Sequence, residues 1–323
     1  MHYDIFNGDA DGICALIQLR LAYPLESTLI TGIKRDIQLL KKINAQTGDQ
    51  LTVLDISMQK NMEQVKAFLE QGASIFYADH HQSGEILEHS NLQALINTDS
   101  NTCTSLIINQ HLQGQYPLWA ITAAFGDNLH KSAEQLAKTL HIHPNVLAQL
   151  EKLGTYINYN GYGSCIADLH FSPDKLYQEM ADYTSPLDFI ANNPLIYNQL
   201  EQGYLEDMRN AEQTQAEFSN DKVAAYILPD DTWARRVSGV FSNDLANKHP
   251  DRAHAVLTFT PDNDYQVSVR APLNNKTKAD ELCASFATGG GRKAAAGINH
   301  LPKDSLGYFI TQFEKTYSST TSL

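Results

Sequence analysis

Short β-rich runs alternate with helical stretches from the start of the chain to about residue 110. The predicted strands are "YDIF", "TLITG", "LTVLDI", "SIFYAD" and "ALINTD", and helical spacing of apolar residues marks "GICALIQLRLAY", "DIQLLKKINAQ" and "NMEQVKAFLEQGA". The last of these helices is expected to end at Gly72, a residue suited to a C-cap. This repetition predicts an α/β fold whose mainly parallel sheet has helices on both faces.

The length of the chain, 323 residues, predicts a second domain. A mostly helical stretch is followed by "LEQGYLEDMRNAEQTQAEFSND", which we expect to be a polar helical connector. Strands then return in "KVAAYIL", "AHAVLTFT" and "YQVSVRAP", around helical "SGVFSNDLANKH" and before a final helix near "LGYFITQFEKTY". We therefore predict a larger domain over residues 1–200, a connector over 201–222 and a smaller α/β domain over 223–323.

Charge and composition limit the partners. The chain has 24 Lys and Arg against 37 Asp and Glu, a formal charge of −13, which disfavours tight binding of long nucleic acid. A small phosphorylated substrate remains compatible with this charge, because bound cations can attract it. There is no membrane-spanning apolar run, signal peptide or C-x-x-C pair, so we expect a cytoplasmic protein without a membrane partner, while its oligomeric state stays open.

Polar side chains of one chemical kind follow several predicted strands. They are Asn7, Asp9 and Asp11 after the first strand, Asp55 after "LTVL", Asp79, His80 and His81 at the end of "SIFYADHH", and Asp127 in "AAFGDNL". Each alone has an ordinary explanation as a turn, a helix cap or a loop residue. Because the carboxyl ends of parallel strands meet at one edge of a sheet, the set together predicts a single site.

Clustered carboxylates repel one another unless protons or cations neutralise them. We therefore expect two divalent cations at this edge. The mixture of carboxylate and imidazole favours Mn²⁺, with Mg²⁺ as the alternative.

Two motifs give the chain a family resemblance. The Asp-His-His of "ADHHQSG" resembles the signature of the DHH phosphoesterase superfamily. "TGGGRKAAAGI" at 288–298 resembles the glycine-rich motif of the DHHA1 domain that follows the DHH domain in this family. The motifs occur in the family's order, and the resemblance covers nearly the whole chain. It implies a catalytic DHH domain followed by a substrate-binding DHHA1 domain.

The resemblance also implies roles for individual residues. Its implied metal ligands are Asn7, Asp9, Asp55, His80 and Asp127. Asp79 would orient a histidine, and His81 would meet the phosphate or the leaving oxygen. Asn7 departs from the family, which commonly has an aspartate there, and Asp11 is the alternative ligand because some relatives have an acidic residue at its position.

In the DHHA1 domain, the resemblance implies that the substrate is bound by Arg270 of "VSVRAP" and by Gly289, Gly290, Gly291 and Arg292. Glycines let backbone N–H groups approach an anion closely, although a triple glycine is also a common turn. Arg292, followed by Lys293, replaces the histidine usual in the motif. The tyrosine-rich "YINYNGYG" is compatible with base stacking or with packing.

Relatives with this two-domain plan include nanoRNase-like enzymes, cyclic-dinucleotide phosphodiesterases and RecJ-like exonucleases. We therefore predict a two-metal phosphodiesterase that cuts linear dinucleotides and very short oligonucleotides, such as pGpG or pApA, to nucleoside monophosphates. A role in cyclic di-GMP signalling would follow from that substrate. The alternatives are a phosphoanhydride hydrolase acting on pyrophosphate or polyphosphate, and a nucleotide-binding sensor in which Asn7 marks a weakened catalytic site.

Overall fold

The computed structural model describes residues 1–260 and 262–318, and the chain forms two compact units, Met1–Gln202 and Gly203–Leu323. The strands of the first unit are β1 (His2–Phe6), β2 (Thr28–Ile30), β3 (Gln50–Leu54), β4 (Ser74–Asp79) and β5 (Leu92–Ile96). Its helices are α1 (Ala10–Ala22), α2 (Met58–Glu70), α3 (Thr104–His111), α4 (Pro117–Gly126), α5 (His130–Thr139), α6 (Pro144–Asn160), α7 (Pro173–Met180) and α8 (Pro186–Asn192), and α9 (Pro194–Glu212) contains the division between the units.

The second unit has six strands within its described residues, β6 (Ala216–Ser219), β7 (Val223–Leu228), β8 (Ala253–Phe259), β9 (Asp264–Arg270), β10 (Gly289–Gly291) and β11 (Ala295–Pro302). Its own helices are α10 (Thr232–Lys248), α11 (Ala279–Ala284) and α12 (Leu306–Ser318). Across residues 1–260 and 262–318, every helix is too short or too polar to cross a lipid bilayer.

The five strands of the first unit form one parallel sheet in the order β2-β1-β3-β4-β5. Alternate residues of β1 show how its two faces are covered. Tyr3 and Ile5 pack into the core that includes α2, whereas Asp4 points to the opposite face and pairs with Arg20 of α1. The predicted α/β fold with a parallel sheet between helices is confirmed.

The end of α2 follows its sequence signal. The helix ends at Glu70, and Gly72 has a φ of 88°, in the left-handed region that glycine adopts without strain. The chain then turns directly into β4.

The helix predicted over "DIQLLKKINAQ" is wrong. The structure has a single 3₁₀ turn, Leu39–Lys42, and Ile43 is extended. Leu39 and Leu40 are both fully buried in the core with α2, so two adjacent side chains hold the segment and no helical stripe is needed. Gln38 makes no side-chain capping hydrogen bond within the described chain, which leaves a longer helix without support at its start.

Helices α4 and α6 cross closely enough to require glycine. A Cβ added to Gly154 of α6 would lie 2.0 Å from the carbonyl oxygen of Thr122 in α4. At Gly126, the last residue of α4, a Cβ would lie 2.4 Å from Cβ of Ala10 in α1. These contacts fix the end of α4, and Asp127 follows immediately.

The sheet of the second unit is mixed, with the order β10-β11-β9-β8-β7-β6. One face packs on α11 and α12, whose Leu282, Phe309 and Phe313 are buried in the same core as Val267 and Val269 of β9. The predicted polar connector is only partly helical, because the chain turns after α9 and β6 pairs antiparallel with β7. Phe218 of β6 packs against the core of this unit, and this contact explains why the segment is a strand.

Candidate metal centre

Three neighbouring strands bring Asn7, Asp55 and Asp79 to one edge of the first sheet. Asn7 follows β1, Asp55 follows β3, and Asp79 is the last residue of β4. The backbone pairing extends one residue beyond two of these strands: the Asn7 N–H donates to the Leu54 carbonyl at 3.2 Å, and the Asp55 N–H donates to that of Ala78 at 3.0 Å. Backbone hydrogen bonds therefore fix the positions of the side chains that follow.

Asp9 begins helix α1 as its N-cap. Its Oδ1 accepts hydrogen bonds of 3.0 Å from the backbone N–H groups of Asp11 and Gly12, while its Oδ2 forms an ion pair with Lys34. Burial would raise the pKa of Asp9, but the charge of Lys34 offsets it, and the pKa is lowered overall. Asp9 is thus held as a carboxylate.

Asp11 ties the first strand-end turn to α3. Its two carboxylate oxygens accept hydrogen bonds of 2.7 Å from the backbone N–H groups of Thr104 and Ser105, the first residues of that helix. Its Oδ2 also lies 3.8 Å from Nε2 of His80. Asp11 is therefore both a helix cap and close to the predicted ligands.

His80 is oriented by the backbone. Its Nδ1 lies 2.9 Å from the carbonyl oxygen of Thr102, which can only accept, so Nδ1 is the donor. In the neutral ring this leaves the lone pair on Nε2, the atom that lies 3.3 Å from Oδ1 of Asp55 and 3.8 Å from Oδ2 of Asp127. The geometry is that of a histidine prepared to bind a cation.

Asp55 is held in an unfavourable position. Its φ is 59°, in the left-handed region, and its Oδ1 accepts a hydrogen bond of 3.0 Å from the Thr104 hydroxyl. Burial raises the pKa of Asp55 well above its ordinary value, and the nearby carboxylates of Asp11 and Asp9 raise it further. A bound cation would relieve both the burial of this charge and the repulsion.

Asp79 orients His81 and not His80. The fully buried Asp79 accepts a hydrogen bond of 2.7 Å from Nδ1 of His81, whose side chain is 30% exposed. Burial raises the pKa of Asp79, but His81 offsets this, and the pKa is lowered overall. This contact fixes the orientation of the His81 ring.

Lys34 is the site residue that sequence reasoning missed. It follows the edge strand β2, and besides its ion pair with Asp9 its Nζ donates to Oδ1 of Asn158 at 2.9 Å and lies 3.6 Å from Oδ1 of Asp127. Nζ also lies 5.5 Å from the centre of the Tyr162 ring. Burial lowers the pKa of Lys34, but Asp9, Tyr162 and Asp127 raise it overall, so the lysine stays charged.

Two other contributions were missed or left open by the sequence. Asn158 and Tyr162 show that the tyrosine-rich segment reaches the site and contacts Lys34. Thr104 binds Asp55 from the first turn of α3. The weak signal available was position, because Lys34 follows a predicted strand as the acidic residues do.

The residues fit a divalent cation. Two groups offer three ligand atoms that lie within 4.8 Å of one another, Asp55 with His80 and His81, and Asp11 with His80 and Asp127. Asn7 is buried, and its Oδ1 has no hydrogen-bond partner within the described residues, although its Nδ2 donates to the Lys34 carbonyl at 3.2 Å. A buried oxygen without a donor is costly, and a nearby cation would satisfy it.

In the second unit, the predicted substrate residues meet at one end of the sheet. Ala295 pairs with Arg270 across β11 and β9, and its carbonyl accepts a hydrogen bond of 2.8 Å from the Arg292 N–H. The glycines form the edge strand β10, paired with β11. A Cβ at Gly289 would lie 1.8 Å from the Cys283 carbonyl oxygen, whereas one at Gly290 would meet nothing within 4 Å. Packing explains Gly289 but not Gly290.

Arg270 is positioned by α10. Its Nε donates to Oδ1 of Asn243 at 2.6 Å, and its guanidinium also reaches the backbone carbonyls of Val269 and Gly239. The side chain is half-buried and held in one orientation. Such an arginine is preorganised for an anion.

One family model matches the sequence, described as UDP-glucoronosyl and UDP-glucosyl transferase, over residues 26–234. The matched stretch starts after β1 and α1 and ends within α10. It therefore omits β1, which pairs with β2 on one side and β3 on the other, and it stops inside an element of the second unit. The matched stretch therefore does not correspond to a folding unit of this structure. A comparison with curated proteins found no match.

Solved structures of two kinds resemble the chain throughout its length. A manganese-bound exonuclease RecJ matches with a TM-score of 0.61 and 12% identity, over 97% of this chain and 89% of its own. RecJ from Thermus thermophilus with Mn²⁺ has a TM-score of 0.63 and 14% identity over 97% of this chain, which spans about half (51%) of that protein. A pGpG-specific phosphodiesterase, PggH from Vibrio cholerae, has a TM-score of 0.53 and 14% identity, over 98% of this chain and 100% of its own.

Proposed function

We propose that this chain, whose two units have the fold of the DHH phosphoesterase superfamily, is a metal-dependent phosphodiesterase. We infer that its substrates are linear dinucleotides and very short oligonucleotides, such as pGpG or pApA, and that its products are nucleoside monophosphates. The observation that supports this most directly is the buried group of ligands around His80, with His81 fixed beside it by Asp79. A role in cyclic-dinucleotide turnover would follow from pGpG hydrolysis.

Divalent cations would be held by residues at the ends of three strands and two helices, Asn7, Asp9, Asp55, His80 and Asp127, with Asp11 as the alternative ligand beside His80 and Asp127. A bound divalent ion, best matched by Mn²⁺ with Mg²⁺ as the alternative, would supply an activated water and positive charge beside the phosphate. The family resemblance implies two such cationic positions. Burial of His80, which is only 5% exposed, strengthens its charge interactions with Asp55 and Asp127.

His81 has the geometry to give a proton to the leaving oxygen. Its Nδ1 is bound to the Asp79 carboxylate, so the ring is held in one orientation and Nε2 is the atom that would reach the leaving oxygen. Because Asp79 is fully buried and keeps its charge through this contact, the pair acts as one unit. Removing Asp79 should misorient the donor without removing it.

The proposed substrate class is supported by charge and by fold. A formal charge of −13 disfavours long polyanions, whereas a dinucleotide presents few phosphates. The pGpG-specific phosphodiesterase is matched over its whole length by this chain. We propose that Arg270 and the glycine hairpin of the second unit bind the substrate's remaining phosphate.

A nucleotide-binding sensor with weak catalysis is the second candidate function. Two observations favour it. Position 7 has an amide in place of a carboxylate, and the carboxylate of Asp9 already forms an ion pair with Lys34. Such a protein would bind pGpG without consuming it. Turnover therefore separates the two candidates.

The test is cleavage of a substrate panel with Mn²⁺ or Mg²⁺. The panel contains pGpG, pApA, a longer single-stranded oligonucleotide, a cyclic dinucleotide and pyrophosphate, and Asp79→Ala and His80→Ala serve as inactive controls. We expect rapid release of GMP or AMP from the dinucleotides and little cleavage of the other members. Preferred cleavage of pyrophosphate would replace the proposal with a phosphoanhydride hydrolase, and binding of pGpG without turnover would support the sensor.

A further inference from the structure

We propose that Lys34 fills one of the two cationic positions of the site, so that the chain binds a single divalent ion, on the Asp55–His80 side. This inference rests on the proposed function for the meaning of the site. Its evidence lies in the contacts of Lys34 with the predicted metal ligands.

The Lys34 ammonium lies where a cation is needed. Its three polar neighbours are Oδ2 of Asp9, Oδ1 of Asn158 at 2.9 Å and Oδ1 of Asp127 at 3.6 Å. Two of these neighbours, Asp9 and Asp127, are ligands that the family resemblance assigns to metal. An ammonium with carboxylate and amide oxygens around it satisfies the same charges that a metal ion would.

Asp127 separates the two positions. One of its oxygens lies 3.6 Å from Nζ of Lys34, and the other lies 3.8 Å from Nε2 of His80. The carboxylate therefore has an ammonium on one side and an imidazole ligand with Asp55 on the other. Both groups of three ligand atoms found in the described residues include His80, and neither includes Asp9.

The backbone around Lys34 is fixed as firmly as its charge. Its N–H donates to the Gly161 carbonyl at 2.8 Å, and its own carbonyl accepts from Nδ2 of Asn7 at 3.2 Å. The Tyr162 ring lies beside its Nζ. Lys34 is thus built into the site and is not a surface side chain that happens to bend inward, since its side chain is 21% exposed.

The local charge also indicates a single divalent ion. An amide at position 7 in place of a carboxylate makes the site more positive by one unit, and the ammonium of Lys34 adds one more. Together they equal the charge of one divalent cation. A second divalent ion would have to displace Lys34 from Asp9 or accept repulsion at short range.

The experiment counts bound Mn²⁺ in the absence of substrate. The full chain, stripped with chelator, is dialysed against increasing Mn²⁺ and its metal content measured, with electron paramagnetic resonance to detect coupling between paired ions. We expect one tight equivalent and no coupled signal for the wild type. Lys34→Met should bind two Mn²⁺ ions and give a coupled signal. Its second ion should bind at least about tenfold more tightly than any second ion in the wild type.

Two matched variants serve as controls for the metal count. Lys42→Met removes a lysine that pairs with Asp36 at the surface, and it should keep one equivalent. Lys34→Arg keeps the charge and should also keep one. If Lys34→Met fails to fold, Asp9→Asn provides the test, because it retains an oxygen to cap α1 and should leave the single tight ion bound within about threefold.

Two tight equivalents in the wild type, or one in a folded Lys34→Met, would overturn the inference. So would loss of the tight ion in folded Asp9→Asn. Because no substrate is present, failure of dinucleotide cleavage leaves this count unaffected. Conversely, a wild type that binds two ions and cleaves pGpG would reject the role of Lys34 and retain the proposed function.

Discussion

The first and second units place their candidate residues in opposite environments. In the first, Asp9, Asp55 and His80 are each at most 5% exposed. Asp55 and His80 directly follow the adjacent strands β3 and β4, and Asp9 caps α1. In the second, Arg270 and Gly290 lie at the end or edge of a mixed sheet and are partly or fully exposed. Burying carboxylates together is costly, so the first arrangement favours a bound cation. In the second, packing accounts for Gly289 but not for the exposed Gly290.

The largest expected effect lies in the first unit. His80→Ala removes the Nε2 that faces Asp55 and Asp127, so several kcal/mol of transition-state stabilisation should be lost, roughly 1000-fold in the rate of pGpG cleavage. Steady-state kinetics with Mn²⁺ measure it. The control is His89→Ala, an exposed turn residue whose Nδ1 accepts from the Asn91 N–H, and its rate should match the wild type. An equal loss in both variants would show that the effect is not local.

A comparison of adjacent glycines tests the second unit. Gly289→Ala places a Cβ 1.8 Å from the Cys283 carbonyl oxygen and should destabilise the protein by about 3 kcal/mol. Gly290→Ala meets nothing and should unfold near the wild-type temperature. Thermal unfolding by circular dichroism measures both. A raised KM for pGpG in the stable Gly290→Ala would separate ligand binding from packing, whereas equal destabilisation would contradict the packing explanation.

Arg270→Ala should affect binding more than chemistry. If the second unit holds a distant phosphate, KM for pGpG should rise about tenfold while kcat stays within about twofold, the loss of one charge-assisted contact. Steady-state kinetics separate the two parameters. Asn243→Ala, which removes the partner that orients this arginine, should show a smaller rise in the same direction. A drop in kcat without a change in KM would place Arg270 in the chemical step.

The smallest effect concerns stability and pH in the metal-free protein. The pKa of Asp55 is raised on folding, so the folded state holds its proton more tightly, and stability falls as pH rises above the ordinary value of about 4. Asp55→Asn should therefore stabilise the chelator-treated protein by about 1 kcal/mol at pH 7, and the gain should vanish near pH 4. Urea unfolding at both values measures it. A variant less stable than the wild type at pH 7 would show that the Thr104 hydrogen bond outweighs the repulsion.

The sequence predicted those parts that follow from periodicity and from strand ends. Each strand of the first sheet overlaps a predicted strand, although β5 (Leu92–Ile96) starts and ends earlier than the predicted "ALINTD". Asn7, Asp55 and Asp79 meet because parallel neighbours end at one edge. The segment at 36–46 failed because Leu39 and Leu40 satisfy the core without a helix. Short elements such as α11, which follows Lys278 at a φ of 72°, have too little pattern to be predicted.

Lys34 shows why the site itself was only partly predictable. A lysine after a strand is usually solvated, and its pairing with Asp9, Asn158 and Asp127 joins segments far apart in the sequence. Likewise, nothing local indicates that Asp79 binds His81 while the Thr102 carbonyl binds His80. These hydrogen-bond partners are determined by tertiary packing, which cannot be inferred from residue spacing.

Because β2 is an edge strand, the segment that leads to Lys34 should unfold locally more easily than the segments that lead to Asp55 and His80. β2 pairs only with β1 in the described sheet, through three residues, and Lys34 follows it, whereas β3 and β4, which precede Asp55 and His80, each pair on both sides. Local unfolding begins where backbone pairing is sparse. Amide hydrogen exchange should thus be faster in residues 28–34 than in β3 and β4. When the sheet opens locally, we expect the β2 edge to separate before the strands that precede Asp55 and His80.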